Sequence, residues 1–277
     1  MISTSVLEFH DTFKPEMIYI AKLLQLASEC FTGSKSEISE ISGIPTGKSS
    51  GKVVPHIKYA AFMGLIDYTH EKGLYSLKLT SLGKEVFVQD AYLHEDLTGW
   101  ICHYCMTRKV SGAPQWVFLI HEVHPSFGEE LSQERLFDLA KTWCDATPAN
   151  MQKKVFSVVK GSYSEGCFER LGFLDWNDTI MFHEQPEKLE LTFVYAYALF
   201  DSWERLFPEK REITSLELKE TLGFGKTFGF NEDECNYVID SLSDEGLLTI
   251  NKQLYPATII RTTNADNMIP HLYSRLL

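Results

Sequence analysis

Along the first eighty residues the spacing of apolar positions changes once, from a helical period to a strand period. Between Pro15 and Cys30, Ile18, Leu23, Leu24, Leu26 and Ala27 give a broad apolar face near the 3.6-residue repeat and predict a helix. Ser36 to Ser42 predicts a short second helix, with Glu37 and Glu40 in its early turns and Gly43 at its end. A third helix is predicted from roughly Lys52 to Phe62, where Val53, Ile57, Ala60 and Ala61 share one face and Pro55 either sits in the first turn or just breaks it. The segment LIDYTHEKGLYSLKLT, Leu65 to Thr80, then reads as two strands around a turn at Glu71-Lys72-Gly73. Three helices followed by a hairpin is the order of a winged-helix domain. In that arrangement the third helix usually enters the DNA groove and the hairpin is the wing.

From Leu82 to Phe207 the pattern is mainly helical, most clearly in DLTGWICHYCMT, QERLFDLAKTWC and LELTFVYAYALFDSWERLF. LGFLDWNDTIMFHE, Leu171 to Glu184, is the exception, because Asn177-Asp178 suits a turn between two short strands. The last part repeats the first plan. Helices are predicted at Ser215 to Leu222 and Asn231 to Glu245, followed by a hairpin turning near Asn251-Lys252. LSDEGLLTI echoes AAFMGLIDY: a helix end, Gly-Leu, then a strand. The predicted fold is mainly α with short β-hairpins. It comprises an N-terminal winged helix-turn-helix over 1–81, a central helical region over 82–208 and a C-terminal winged-helix-like module over 209–277.

The chain has 277 residues, enough for such a division, with 44% hydrophobic and 23% charged residues. No apolar run approaches the roughly 18 residues that span a bilayer, so no membrane association is expected. MISTSVLEFHD lacks the basic and apolar regions of a secretory signal, and six scattered cysteines suit reduced thiols in a cytoplasm. A net charge of -12 argues against a general nucleic-acid coat. It leaves room for one local basic face, so the distribution of charge matters more than its sum.

The candidate basic face surrounds GIPTGKSS, Gly43 to Ser50. This stretch is one residue short of a Walker loop and follows a polar, helix-like segment instead of a buried strand. Both facts argue against nucleotide binding there. Yet Ile41 to Ile66 contains no carboxylate and three lysines, Lys48, Lys52 and Lys58, together with Ser49, Ser50 and His56. Small residues at a helix N-terminus free backbone N–H groups for an anion, which in a winged helix is a DNA phosphate. Those six residues, with Lys72 on the wing, form the predicted DNA-binding set; the bland reading is a solvated turn. Asn231 to Glu245 carries Glu232, Asp233, Glu234, Asp240, Asp244 and Glu245 with no Lys or Arg, and would repel a phosphate backbone.

Other motifs carry less chemistry. Cys102-x-x-Cys105 and His121-x-x-His124 contain zinc-ligand types, but the His spacing is short for a finger and a second CxxC is missing. A run of core cysteines in an amphipathic helix fits better, and no metal site is assigned. In FHDTF, Phe9 to Phe13, His10 and Asp11 could bind a metal or move a proton. The alternative is a helix cap by Asp11 or Thr12, with Phe9 and Phe13 packing.

FHDTF, GIPTGK leading to IKYAAFMGLI, LTSLGKEVF and DAYLHEDLTGWICHY occur in this order. As an ordered set they resemble the bacterial domain-of-unknown-function family numbered 4007, most clearly from Phe9 to Tyr104. Members sit beside sulfur-transfer proteins of DNA phosphorothioation and phage-defence systems, and one branch resembles the nicking subunit of the Ssp-type system. The resemblance implies double-stranded DNA as ligand or substrate. It also implies a nick as the reaction, and a cysteine desulfurase, an ATP pyrophosphatase and an ATPase as partners. It supplies no catalytic residues. Nicking would call for Mg²⁺ or Mn²⁺ to activate water, with no tightly bound cofactor otherwise. Two other readings stand beside it: a winged-helix transcription regulator that leaves DNA uncut, and a protein-interaction scaffold.

Overall fold

The computed structural model describes residues 1–47, 50–123, 130–253 and 255–276. Its elements fall into three groups, each built round a three-stranded antiparallel sheet. The first holds α1 (Thr4–Leu7), α2 (Met17–Ser28), β1 (Thr32–Ser34), α3 (Lys35–Ser42), α4 (Val53–Phe62), β2 (Ile66–Glu71) and β3 (Leu74–Leu79). The second follows α5 (Ser81–Gln89), α6 (Asp96–Thr107) and α7 (Pro114–Val117). It holds β4 (Glu130–Ser132), α8 (Gln133–Trp143), α9 (Pro148–Asn150), α10 (Ser157–Ser164), β5 (Leu174–Trp176) and β6 (Thr179–Phe182). After α11 (Thr192–Leu206) come β7 (Glu212–Thr214), α12 (Phe224–Phe228), α13 (Glu232–Asp244), β8 (Leu248–Asn251) and β9 (Thr258–Arg261). The fold is mainly α with short hairpins.

The three sheets share one topology. Their orders are β1-β3-β2, β4-β6-β5 and β7-β9-β8, so a short leading strand always pairs with the second strand of the hairpin. Each leading strand ends on a hydroxyl residue that begins the next helical segment. Ser34, Ser132 and Thr214 accept the backbone N–H of Glu37, Arg135 and Glu217 at 3.3, 3.2 and 3.1 Å. Such caps satisfy donors that the first helical turn leaves unpaired. Ser34 and Thr214 complete a capping box, with the Glu37 and Glu217 carboxylates accepting the N–H of the cap residue.

The predicted helices of the first group are present within two residues of their expected ends. In α2, Leu23, Leu24, Leu26 and Ala27 are buried as the periodicity requires, but Ile18 is 63% exposed and Ile20 takes its place inside. The turn joining β2 to β3 puts Lys72 and Gly73 at φ 51° and 81°, the two left-handed positions of a tight hairpin. The central hairpin turns at Asn177-Asp178 as expected. The last hairpin does not turn at Asn251-Lys252; its connection runs from residue 252 to 257.

Buried side chains from Leu7 to Tyr273 form one continuous core. At its centre lie α6 and α11. Every residue from Leu97 to Thr107 is buried, as is Val194 to Asp201 in α11. A helix apolar all round must be enclosed on all sides, and the two helices enclose each other in part. Trp116 and Phe9 close over α4, touching Tyr59 edge-on at 6.1 and 5.3 Å. No helix among the described residues is long and apolar enough to cross a membrane.

Candidate nucleic-acid interface and an adjoining cleft

Thr46 and Gly51 pair across the loop before α4, and the Lys52 N–H donates to the Pro45 carbonyl at 2.7 Å. Lys48 and Ser49 of the predicted set lie outside the described residues. Ser50 is exposed. Lys52 turns back onto the protein: its Nζ meets the Glu16 carboxylate at 2.6 Å and lies 5.2 Å from the Tyr19 ring centroid. The hydrogen bond to Glu16 raises the Lys52 pKa. Its charge is thus largely answered within the molecule.

His56 is fully buried. Its Nε2 accepts the Glu16 N–H at 3.1 Å, which leaves Nδ1–H to donate to the Lys52 carbonyl at 2.7 Å. Burial lowers its pKa, against the partly opposing bond to Lys52. The expectation of His56 at the surface fails because α4 turns that side towards α2. His56 fixes the start of α4 instead of presenting a donor outward.

The outward stripe of α4 is Val54, Lys58, Ala61 and Phe62, each only half-buried, and no α4 residue is fully exposed. Lys58 lines a cleft of about 400 Å³ with Val6, Phe9, Phe62 and Tyr68. Lys72 is exposed at the hairpin tip, roughly 13 Å along the strand from Tyr68. Among the described residues neither Lys58 nor Lys72 has a carboxylate partner. Of the seven predicted positions, then, Ser50, Lys58 and Lys72 reach the surface without such a partner. In α13, Glu232 and Asp240 are matched from outside the helix, by Lys219 at 3.1 Å and Lys252 at 2.8 Å.

FHDTF neither caps a helix nor gathers a catalytic pair. His10 is fully buried, with Nδ1 accepting the Thr12 N–H at 3.0 Å, while Asp11 is exposed. Asp11 and Thr12 take φ 47° and 67°, and α2 begins only at Met17, after Glu16. Burial brings His10 down to about 4. Cys102 and Cys105 are fully buried in α6, and burial pushes the Cys105 thiol up to about 11. His124 lies outside the described residues. Among those described, no group of three or more His, Cys, Asp and Glu side chains is placed to hold a metal ion.

A buried polar cluster joining α6 to α11 was not evident from spacing. Arg108, at the end of α6, meets Asp201 of α11 at 3.1 Å, and both are over 90% buried. Arg205 Nε reaches both Asp201 oxygens at 2.9 Å, and the Tyr104 hydroxyl donates to the same carboxylate at 2.7 Å. Burial alone would raise the Asp201 pKa, but the bonds from Arg205 and Tyr104 and the Arg108 charge hold it below the usual carboxylate range. The one sequence signal was the i, i+4 pair in DSWER, an Asp and an Arg closing an otherwise apolar run. A cleft of about 540 Å³ opens over this cluster, between β2, the start of α5, α11 and the 3₁₀ turn Asp266–His271.

The arrangement defines a mainly helical protein whose small sheets repeat one strand–helix–hairpin plan. Two solved structures share this fold along nearly its whole length. One, "SspB crystal structure", is 15% identical, with a TM-score of 0.75 over 96% of this chain and 87% of that one. The other, "Magnesium ion-bound SspB crystal structure", is 16% identical, with a TM-score of 0.74 over the same shares. The chain therefore has an SspB-like fold. No family model matches the sequence, and no curated protein matches it.

Proposed function

We propose that this chain is a DNA-binding component of a bacterial DNA phosphorothioate-modification or anti-phage defence system. The observation that carries the reading is the SspB-like fold over 96% of the chain. Its N-terminal group, over 1–81, acts as a winged helix; the strand order β1-β3-β2 and the helix–strand–helix–helix–hairpin sequence support that assignment. Contact with DNA runs through Lys72 on the wing, Ser50 in the loop before α4 and Lys58 on the outward stripe of α4, with Lys48 and Ser49 as further loop contacts. Deep reading by α4 is disfavoured, because its outward stripe is apolar apart from Lys58. Such a surface grips phosphates and says little about sequence.

Nicking is a second reading, favoured by the magnesium ion bound in one of the two SspB structures. In this chain it would call on Mg²⁺ or Mn²⁺. The cysteine desulfurase, ATP pyrophosphatase and ATPase of a phosphorothioation system are the partners that the first reading implies.

The test is a gel assay with supercoiled plasmid and short duplexes, with and without Mg²⁺ or Mn²⁺, run on the protein and on Lys58→Glu, Lys72→Glu. Salt-sensitive binding by the parent is expected, and the double variant should flatten the slope of log affinity against log salt by about two. An unchanged slope would show that the named face is wrong. Tight binding to one palindromic site with no nick would point to a regulator. No shift at low salt would leave a scaffold.

A further inference from the structure

Arg108 and Arg205 share one carboxylate, and their hydrogen bonds leave donors unused. Arg108 reaches Asp201 through Nη1, and its buried Nε has no partner among the described residues. Arg205 uses only Nε, against both Asp201 oxygens. Asp201 Oδ2 already accepts from Arg108, Arg205 and Tyr104. Two guanidinium groups thus face one saturated carboxylate, which leaves one positive charge unmatched within this cluster. The Nη edge of Arg205 is the fork that binds an oxyanion two bonds at a time, and Arg108 lines the same cleft and adds its charge.

The cleft above these groups holds about 540 Å³, within the roughly 300–1,000 Å³ usual for a small-molecule site. Separate parts of the chain close it, and sites at such junctions commonly hold ligands. Tyr68 and Tyr197 are among its walls. The exposed carboxylates of Asp67 and Asp266 also line it. They would repel a bare inorganic dianion and accept N–H groups. The cleft thus combines donors for an oxyanion, aromatic rings, and acceptors for an amine or amide edge.

We propose that this cleft binds a nucleotide, with its phosphoryl group on Arg108 and Arg205 and its base among Tyr68, Asp67 and Asp266. The nucleotide is either a free monophosphate or the 5′-phosphorylated end of a DNA strand. The inference does not rest on the DNA reading of the N-terminal group, although Tyr68 lines both this cleft and the one beside Lys58.

Calorimetric titration of the full chain tests it, with deoxynucleoside 5′-monophosphates, the matching nucleosides, inorganic phosphate, and short oligonucleotides with and without a 5′-phosphate. Monophosphate should bind more tightly than nucleoside or phosphate alone. Arg205→Gln, at a position where the side chain is 34% exposed, should weaken it by about tenfold while keeping cooperative unfolding. Asp67→Asn with Asp266→Asn should narrow the gap between monophosphate and inorganic phosphate. If only the 5′-phosphorylated oligonucleotide binds, and Arg205→Gln weakens it, the strand end is the ligand. Lack of binding by every phosphorylated probe at millimolar concentration overturns the proposal. So does binding that Arg205→Gln leaves unchanged. Neither result bears on Lys58 and Lys72, whose test is the salt slope above.

Discussion

His103 is a buried base with nothing to hold its proton. Its ring lies in a box of Trp100, Tyr163, Phe168 and Phe173, with centroids 5.5, 5.7, 5.5 and 4.8 Å away. Neither ring nitrogen has a hydrogen-bond partner among the described residues. Burial brings its pKa from 6.5 down to about 3. The unfolded chain therefore takes up this proton before the folded one does. The stability tied to the neutral ring is complete above about pH 6.5 and drains as pH falls towards 3. At pH 5 the two values give a loss of about 2 kcal/mol relative to pH 7.5. His103→Phe removes that term whatever it does to packing at neutral pH. His10 and His56 stay in both proteins and cancel. Over 277 residues the unfolding entropy is about 0.6 kcal/mol/K, so 2 kcal/mol is worth roughly 3–4 °C. Thermal unfolding of parent and variant at pH 7.5 and pH 5 measures it. The variant should gain about that much on the parent between the two pH values. Parallel pH dependence would refute the reasoning, because His103 would then be protonated or hydrated alike in both states.

Asp201→Ala should cost about 3–5 kcal/mol at neutral pH, because Arg108 is left charged and over 90% buried. Urea unfolding reads this. The cost should shrink below about pH 3.8, where the carboxylate loses its depressed-pKa contribution in the parent as well. Gly83→Ala should destabilise by roughly 3 kcal/mol, since an added Cβ would sit 1.8 Å from the Leu65 carbonyl oxygen, where α5 packs on the residue before β2. At Gly73, where nothing lies within 4 Å but φ is 81°, the same change should cost only about 1 kcal/mol, read from the denaturation midpoint.

What could be read from sequence was what local pattern encodes. The β2–β3 hairpin announced itself through the period change and Lys72-Gly73, and the central one through Asn177-Asp178. The leading strands β1, β4 and β7 did not, because three residues carry no measurable alternation. Their signal was the hydroxyl cap three residues before Glu37, Arg135 and Glu217, shared by TGSKSE, ELSQER and EITSLE. The inward turn of Lys52 and His56 depends on Glu16, forty residues from His56. Arg108 and Asp201 are 93 apart. Only tertiary packing brings such pairs together, so single-residue charge counts overstated the free basic surface.

The enclosure of α6 has a consequence for how the chain is made. Each sheet pairs residues within a single segment of about fifty: Thr32 with Ser76, Glu130 with Met181, Glu212 with Ile260. The first sheet can therefore close as soon as Leu79 leaves the ribosome. Helix α6 cannot be finished so early. It ends at Thr107, and its partner α11 starts at Thr192, 85 residues later. At about 5–20 residues per second, this apolar helix waits roughly 4–17 s for its cover. That interval is when a nascent chain stalled between the two helices would be most prone to aggregate.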